Sequence, residues 1–162
     1  MTVICDSSPL INLAWIGRLD ILHFLYRDVK IAEAVWQEVV INGEGQPGSQ
    51  EVRIATWIQH KKPANGLFVW SLRHELDAGE AESIALALEE KADLLIIDDK
   101  LGREKATYFN IHVVGLIGVL VEAKRTGLIQ SMKPLLDDLM HTAHFYINPS
   151  LYTHILLNEG EV

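Results

Sequence analysis

Residues 78–99 read Ala78-Gly79-Glu80-Ala81-Glu82-Ser83-Ile84-Ala85-Leu86-Ala87-Leu88-Glu89-Glu90-Lys91-Ala92-Asp93-Leu94-Leu95-Ile96-Ile97-Asp98-Asp99. The first part, 78–91, predicts the clearest helix of the chain, with apolar residues returning at helical spacing. It feeds an apolar run at 94–97, short enough for a strand buried on both faces, with two aspartates at its exit. A helix that delivers the chain to a buried strand is one half of a parallel crossover unit, so the search outward is for others like it.

The same logic applies at the N-terminus. Residues 3–5 are β-rich and end in Asp6-Ser7-Ser8-Pro9, where Ser8 is expected to cap a helix and Pro9 to occupy its first position. That helix should turn Leu10, Leu13 and Ala14 inward and stop at Gly17. A second short helix is expected at 18–25, a strand at 29–31 and a helix at 32–41 with Val35 and Val39 inward. Glycines and a proline make 42–49 a loop, and the run holding Val52, Ile54 and Trp57 reads as helical. Beyond a loop at 61–66, residues 67–70 suggest a strand. Further on come a helix at 103–109, a strand at 112–114, a helix at 115–126, and two helical stretches at 132–141 and 150–157. The sum is one α/β domain over 1–162, with a core of about 1–127 and a C-terminal helical tail. Its central sheet is expected to be mostly parallel, with about 4–5 strands flanked by helices.

Composition narrows the function. Hydrophobic residues make up 49% and charged residues 22%, the balance of an ordinary globular chain. Apolar runs fall short of the roughly 20 residues of a spanning helix, so no membrane helix is expected. No export signal is read at the N-terminus, and the lone Cys5 forms no internal disulfide, which fits a reducing cytoplasm. The net charge of −8 excludes a broad basic surface that grips nucleic acid by phosphates alone. Any nucleic acid bound here has to be met by cations that offset local carboxylates.

Those carboxylates fall in informative places. Ligands of open parallel sheets gather beyond the C-terminal ends of the strands, and Asp6 and Asp98 both end strands. An oxygen-only cluster with no zinc-like Cys or His spacing suits a hard ion such as Mg²⁺ or Mn²⁺. At ~100° per residue, Glu80 lies about 40° from Ile84 and about 80° from Leu88, on the inward side, whereas Glu82 shares the outer side with Leu86 and Glu89. Glu38 borders the apolar stripe of its helix, while Glu33 lies with Gln37 on the polar side. Lys100, Arg103 and Lys105 follow the acidic exit and are placed to steer a phosphate backbone.

The run Asp6-Ser7-Ser8-Pro9-Leu10-Ile11-Asn12-Leu13, the helix with Glu38, the Gly79-Glu80-Ala81-Glu82 helix start, Leu94-Leu95-Ile96-Ile97-Asp98-Asp99 with Arg103, and Val114-Gly115-Leu116-Ile117-Gly118 together resemble PIN-domain proteins. The likeness spans nearly the whole chain and is nearest to VapC-like members with a long helical tail. It implies a ribonuclease that uses water activated on one or two divalent ions, with Asp6, Glu38, Glu80 and Asp98 as catalytic acids. The family's third acid is usually aspartate; here it falls on Glu80, with Glu82 still open. Asp6, Glu80 and Asp98 are the implied metal ligands, with Asp99 competing with Asp98 because adjacent strand residues face opposite ways. Ser7 is expected to position a ligand or the phosphate.

The resemblance also implies a toxin's partners: an RNA substrate, a small antitoxin whose Arg or Lys enters the acidic pocket, and a second copy of the chain. Trp15, Leu19, Ile21, Leu22 and Phe24 are the expected docking residues. Three other readings compete. A haloacid-dehalogenase-like phosphatase needs an aspartate where Ser8 stands, and a receiver domain gathers its acidic pair near the N-terminus. A PIN fold kept only for RNA binding or protein docking would carry the same acids.

Overall fold

Five short strands carry the fold in a computed structural model that describes residues 1–161. They are β1 (Val3–Cys5), β2 (Val29–Ala32), β3 (Ile58–Lys61), β4 (Leu94–Ile96) and β5 (Val113–Val114). All pair in parallel, in the order β3-β2-β1-β4-β5. The central β1 sets Val3, Ile4 and Cys5 opposite Leu94, Leu95 and Ile96 of β4, and every one of these is buried. Covering both faces of the sheet with helices removes the need for polar alternation, which is why these strands read as continuous apolar runs.

The helices are α1 (Ser7–Trp15), α2 (Asp20–Tyr26), α3 (Glu33–Trp36), α4 (Ser49–Ile54), α5 (Gly66–Leu72), α6 (Ala78–Glu89), α7 (Lys100–Tyr108), α8 (Leu116–Arg125), α9 (Lys133–His141) and α10 (Pro149–Asn158). In α1, Leu10, Leu13 and Ala14 are buried. Gly17 ends it at φ +68°, while Arg18 N–H donates to Leu13 O at 2.8 Å and Gly17 N–H to Ala14 O at 3.0 Å. That pair of bonds is the glycine-terminated helix stop expected from sequence. The cap at the other end differs: Asp6 is the extended N-cap residue and Ser7 already lies in the helix, so Ser8 caps nothing and its hydroxyl accepts from Asn12 Nδ2.

Two strand assignments change. Residues 67–70 belong to the helix α5, started by Asn65, whose side chain accepts from Phe68 N–H at 3.0 Å. The missing strand is β3, one position beyond the predicted helix with Trp57. Only Ile58 of β3 is buried, and the other residues of this sheet edge are exposed, so no alternating pattern marks it. The predicted helix 32–41 is also divided: α3 passes at Gln37 into one π-helical turn (Gln37–Ile41), closed by Asn42 N–H on Gln37 O at 2.8 Å. Such single wide turns inside helices often sit at functional sites.

The tail is part of the same core. Leu135, Leu136, Leu139, Ile155 and Leu156 are buried in the cluster that also contains the sheet. Glu161 ties the end down by accepting from the backbone N–H of Met132 (2.6 Å) and Lys133 (2.9 Å) and pairing with Lys124 Nζ (2.7 Å). Of the expected docking residues, Leu19, Ile21 and Leu22 are core, because α2 turns this face against the domain; only Trp15 and Phe24 stay exposed. Among the described residues no helix is long and apolar enough to cross a membrane.

Candidate active site

The sheet order makes one edge special. From β1 the chain leaves toward β2 and β3, and from β4 toward β5 on the other side, so a crevice opens beyond the ends of these two neighbours. A cavity of about 350 Å³ occupies it, lined by Asp6, Ser7, Ser8, Ile11, Glu38, Asp77, Glu80, Asp98 and Asp99. Six of these nine side chains are carboxylates and none is basic. A larger cavity of about 750 Å³ lies at the opposite ends of the strands, around Met1, Leu94 and His112, and has only Asp93 and Glu122 as acids. Size alone would favour it, but the chemistry is concentrated in the smaller one.

Asp6 is held most firmly. Its N–H donates to Ile96 O at 2.9 Å, extending the β1–β4 pairing by one residue, and its side chain is buried among acids. Burial pushes its carboxyl up to about 7; a hydrogen bond from Ser7 N–H works against this, and the charges of Asp77, Glu38 and Asp98 add to it. Asp98 leaves the end of β4. Its Oδ1 accepts from Leu116 N–H, the first residue of α8, at 2.8 Å, while its Oδ2 is buried without a partner. Burial raises the Asp98 carboxyl too, opposed by the Leu116 bond and by the Arg103 guanidinium. Gly115 is required here: a Cβ would stand 2.8 Å from Asp98 Oδ1 and 2.5 Å from Arg103 Nη1.

The start of α6 supplies two more acids. Asp77 Oδ1 accepts from Glu80 N–H at 2.8 Å, and Glu80 Oε2 accepts from Asp77 N–H at 3.4 Å, a reciprocal cap. Burial raises the Glu80 carboxyl to about 7, reinforced by the neighbouring Asp77 carboxylate and then by Asp99 and Asp6. The helix start comes close to β1, since a Cβ on Gly79 would meet Asp6 Oδ1 and Ser7 Oγ, each at 3.3 Å. Glu38 reaches the cavity from the π-helical turn. Asp99 lines the wall while its Oδ2 caps α7 through Gly102 N–H at 2.8 Å.

Asp6, Ser7, Glu38, Glu80, Asp98 and Asp99 are therefore brought together, as the sequence suggested. Lys100 and Arg103 do not line the cavity. Lys100 is exposed at the start of α7, and Arg103 turns inward to Ile97 O (3.4 Å), where it supports the Asp98 loop. Glu82 lies outside as well, but it is not idle: half-buried, its Oε1 accepts from Ala34 N–H at 3.0 Å at the start of α3. Sequence reasoning missed Asp77. Its signal was present, because aspartate three residues before a glutamate at a helix start is the pattern of a reciprocal cap.

Whether a divalent ion fits can be judged from the donors. They are all oxygens, burial and then the neighbouring acids raise the Asp6 and Glu80 carboxyls to about 7, and Asp98 Oδ2 and Ser7 Oγ are buried without partners. Among the described residues no three Asp, Glu, His or Cys side chains close around a single point as a complete metal cage. Mg²⁺ and Mn²⁺ tolerate this, since Mg²⁺ in particular keeps several waters and takes one or two carboxylates directly. The residues fit such an ion.

A PIN-domain family matches residues 2–161 of the chain. No curated protein matches it.

Proposed function

From a chain that belongs to the PIN-domain family, whose members are in general nucleases, we propose a metal-dependent endoribonuclease that hydrolyses RNA phosphodiester bonds. The observation that carries this reading is the single cavity at the strand-order reversal, where six carboxylates meet and the buried Oδ2 of Asp98 lacks a partner. A bound Mg²⁺ or Mn²⁺ supplies a water of lowered pKa and a counter-charge for the phosphate oxygens.

The chain's own residues divide the remaining work. Asp6 and Asp98, fixed by backbone bonds at the ends of adjacent strands, are the ligands best held in place. Glu80 and Glu38 stand across the cavity, where they ligate or act through water. Glu80, whose carboxyl burial raises in the metal-free protein, is the acid we assign to accepting the proton of the attacking water. Asp99, whose Oδ2 already caps α7, is the weaker rival of Asp98. Ser7 lines the cavity with its Oγ buried and without a partner, and we assign it to donate to a ligand or a phosphate oxygen. The test is cleavage of RNA by the purified protein in Mg²⁺ or Mn²⁺, with product ends analysed. The expected products are 5′-phosphate and 3′-hydroxyl ends, and cleavage undiminished by a chelator overturns the reading.

We extend the proposal to a toxin controlled by a small antitoxin. In its support, no basic residue lines the cavity, so an Arg or Lys from a partner has the acids to itself and takes the place of the metal. Self-association is part of the same proposal, with Phe24 and Trp15, 63% and 39% exposed, as the expected docking residues that remain on the surface. A neighbouring small protein that leaves RNA cleavage unchanged removes the antitoxin, and a monomer of about 18 kDa in light scattering at tens of micromolar removes the dimer.

A further inference from the structure

Glu38 reaches the acidic cavity from an uncommon piece of backbone. At ~100° per residue, an unbroken helix through α3 would leave Val40 about 140° from Val35, turned away from the core. Val35 and Val40 are nonetheless fully buried, and Val39 with them. The π-helical turn resolves this conflict: one extra residue in the turn sets the phase back by about 100°, so that Val40 falls about 40° from Val35. With the valines anchored in the core, the exposed Gln37 and Glu38 form the outer side of the wide turn, and Glu38 stands at the wall of the acidic cavity. The wide turn and the place of Glu38 are therefore one feature of the backbone.

Two contacts from the loop that follows hold this turn in shape. The chain folds back at Gly43 so tightly that a Cβ there would overlap Val39 O and stand 3.1 Å from Glu38 O. Both obstacles are backbone atoms, which cannot swing aside as a side chain can, so a larger residue at 43 has to push the Glu38–Val39 segment away. Farther along, Ser49, itself buried, donates from its Oγ to Val40 O at 2.7 Å. That bond gives a buried carbonyl in the π-helical turn the partner it requires. Neither Gly43 nor Ser49 lines the acidic cavity. We propose that Gly43 and Ser49 are positioning residues for the hydrolysis: they hold the π-helical turn closed, and the closed turn keeps Glu38 directed at the reacting phosphate and its metal.

This inference rests on the ribonuclease reading, and the experiment separates the two. Steady-state cleavage of an end-labelled RNA in Mn²⁺ is measured for the wild type, Gly43→Ala, Ser49→Ala, Glu38→Gln and the two double variants that add Glu38→Gln to each. Gly17→Ala is the control, because it strains a residue at φ +68° that does not line the cavity. Amide hydrogen exchange at Asn42, whose N–H closes the turn on Gln37 O, reports the turn without reference to activity. Gly43→Ala is expected to exchange faster at Asn42 and to lower kcat roughly 10- to 100-fold, with KM changed by less than about twofold. Ser49→Ala should do the same to a smaller degree, and it carries the test if Gly43→Ala does not fold. In the Glu38→Gln background neither substitution should lower kcat by more than about twofold again, since a residue that acts through Glu38 has nothing left to position. Gly17→Ala should melt lower at unchanged kcat and KM. Unchanged kcat in Gly43→Ala and Ser49→Ala, equal losses with and without Glu38, or an equal loss in Gly17→Ala overturns the positioning role alone. A wild type that cleaves no RNA in Mg²⁺ or Mn²⁺ overturns the ribonuclease reading and the positioning role with it.

Discussion

The backbone N–H of Asp6 donates to the carbonyl of Ile96 at 2.9 Å. This bond adds one rung to the β1–β4 ladder at the place where the chain directions part, and it fixes the first acid of the cavity to the central strand of the sheet. Asp98 leaves the partner strand two residues after Ile96, so two carboxyls are set into one crevice by sheet pairing alone. Their repulsion is built into the fold, and the consequences are measurable.

Stability without metal should fall as pH rises. Asp6 has a folded-state pKa of about 7, above its ordinary 3.8, so between those values the folded protein keeps a proton that the unfolded chain has released. The unfolded state then binds fewer protons, and the slope of unfolding free energy against pH is negative. The contribution is fully present below about pH 4 and is lost as pH passes 7, a change of roughly 2–4 kcal/mol. Glu80, raised in the same direction, adds to it. Chelator-treated protein is expected to melt higher at pH 5 than at pH 8; the opposite order would mean that the acids are not crowded.

Metal and mutation should relieve the same strain. Millimolar Mn²⁺ is expected to raise the melting temperature of the wild type at pH 8. Asp6→Asn, which removes one buried charge, should stabilise the metal-free protein by about 1–3 kcal/mol at that pH. Its further gain from Mn²⁺ should be smaller than the wild type's. Scanning calorimetry with and without Mn²⁺ checks both, and equal gains in the two proteins contradict the assignment of Asp6 to the ion.

Much of this was legible in the sequence because the decisive elements are local or fully buried. The strand-end positions of Asp6 and Asp98 follow from apolar runs that stop at an acid, and Gly17 announces its helix end by a backbone conformation that glycine favours. What was missed depends on tertiary context. β3 has one buried residue, α5 owes its start to the Asn65 cap, and the π-helical turn has no composition of its own. Helical phase did not divide α6 into an inner and an outer side: Leu86, assigned with Glu82 to the outer side, is fully buried, and Glu80 and Glu82 are both half-buried, Glu80 lining the cavity and Glu82 meeting the start of α3. Leu19, Ile21 and Leu22 looked dispensable to the sheet until α2 packed them under the domain.

Glu80 and Glu82 should separate cleanly in experiment. Glu80→Gln is expected to lower kcat severely with little loss of stability. Glu82→Gln retains an amide oxygen for Ala34 N–H and should be nearly silent in activity, while Glu82→Ala should cost about 1 kcal/mol of stability at unchanged kcat. Urea unfolding and single-turnover cleavage give the two readouts. A catalytic loss confined to Glu82→Gln assigns the third acid to Glu82 instead.

Gly115→Ala tests the support of Asp98. The added methyl falls against Asp98 Oδ1 and the Arg103 guanidinium, so either the acid or its cationic support must shift. A loss of about 1–3 kcal/mol is expected, accompanied by a drop in kcat that exceeds any change in KM. Full activity in a destabilised variant would show that the position of Asp98 is not critical.

The central claim is that this acidic crevice hydrolyses RNA through a divalent ion held by Asp6 and Asp98. The most direct measurement is cleavage of end-labelled RNA in Mn²⁺ by the wild type, Asp6→Asn and Asp98→Asn, purified identically and shown to be folded. Cleavage by the wild type that is abolished in both variants and by chelator is the expected result. Equal cleavage by all three proteins, or none by the wild type in either Mg²⁺ or Mn²⁺, would contradict the account.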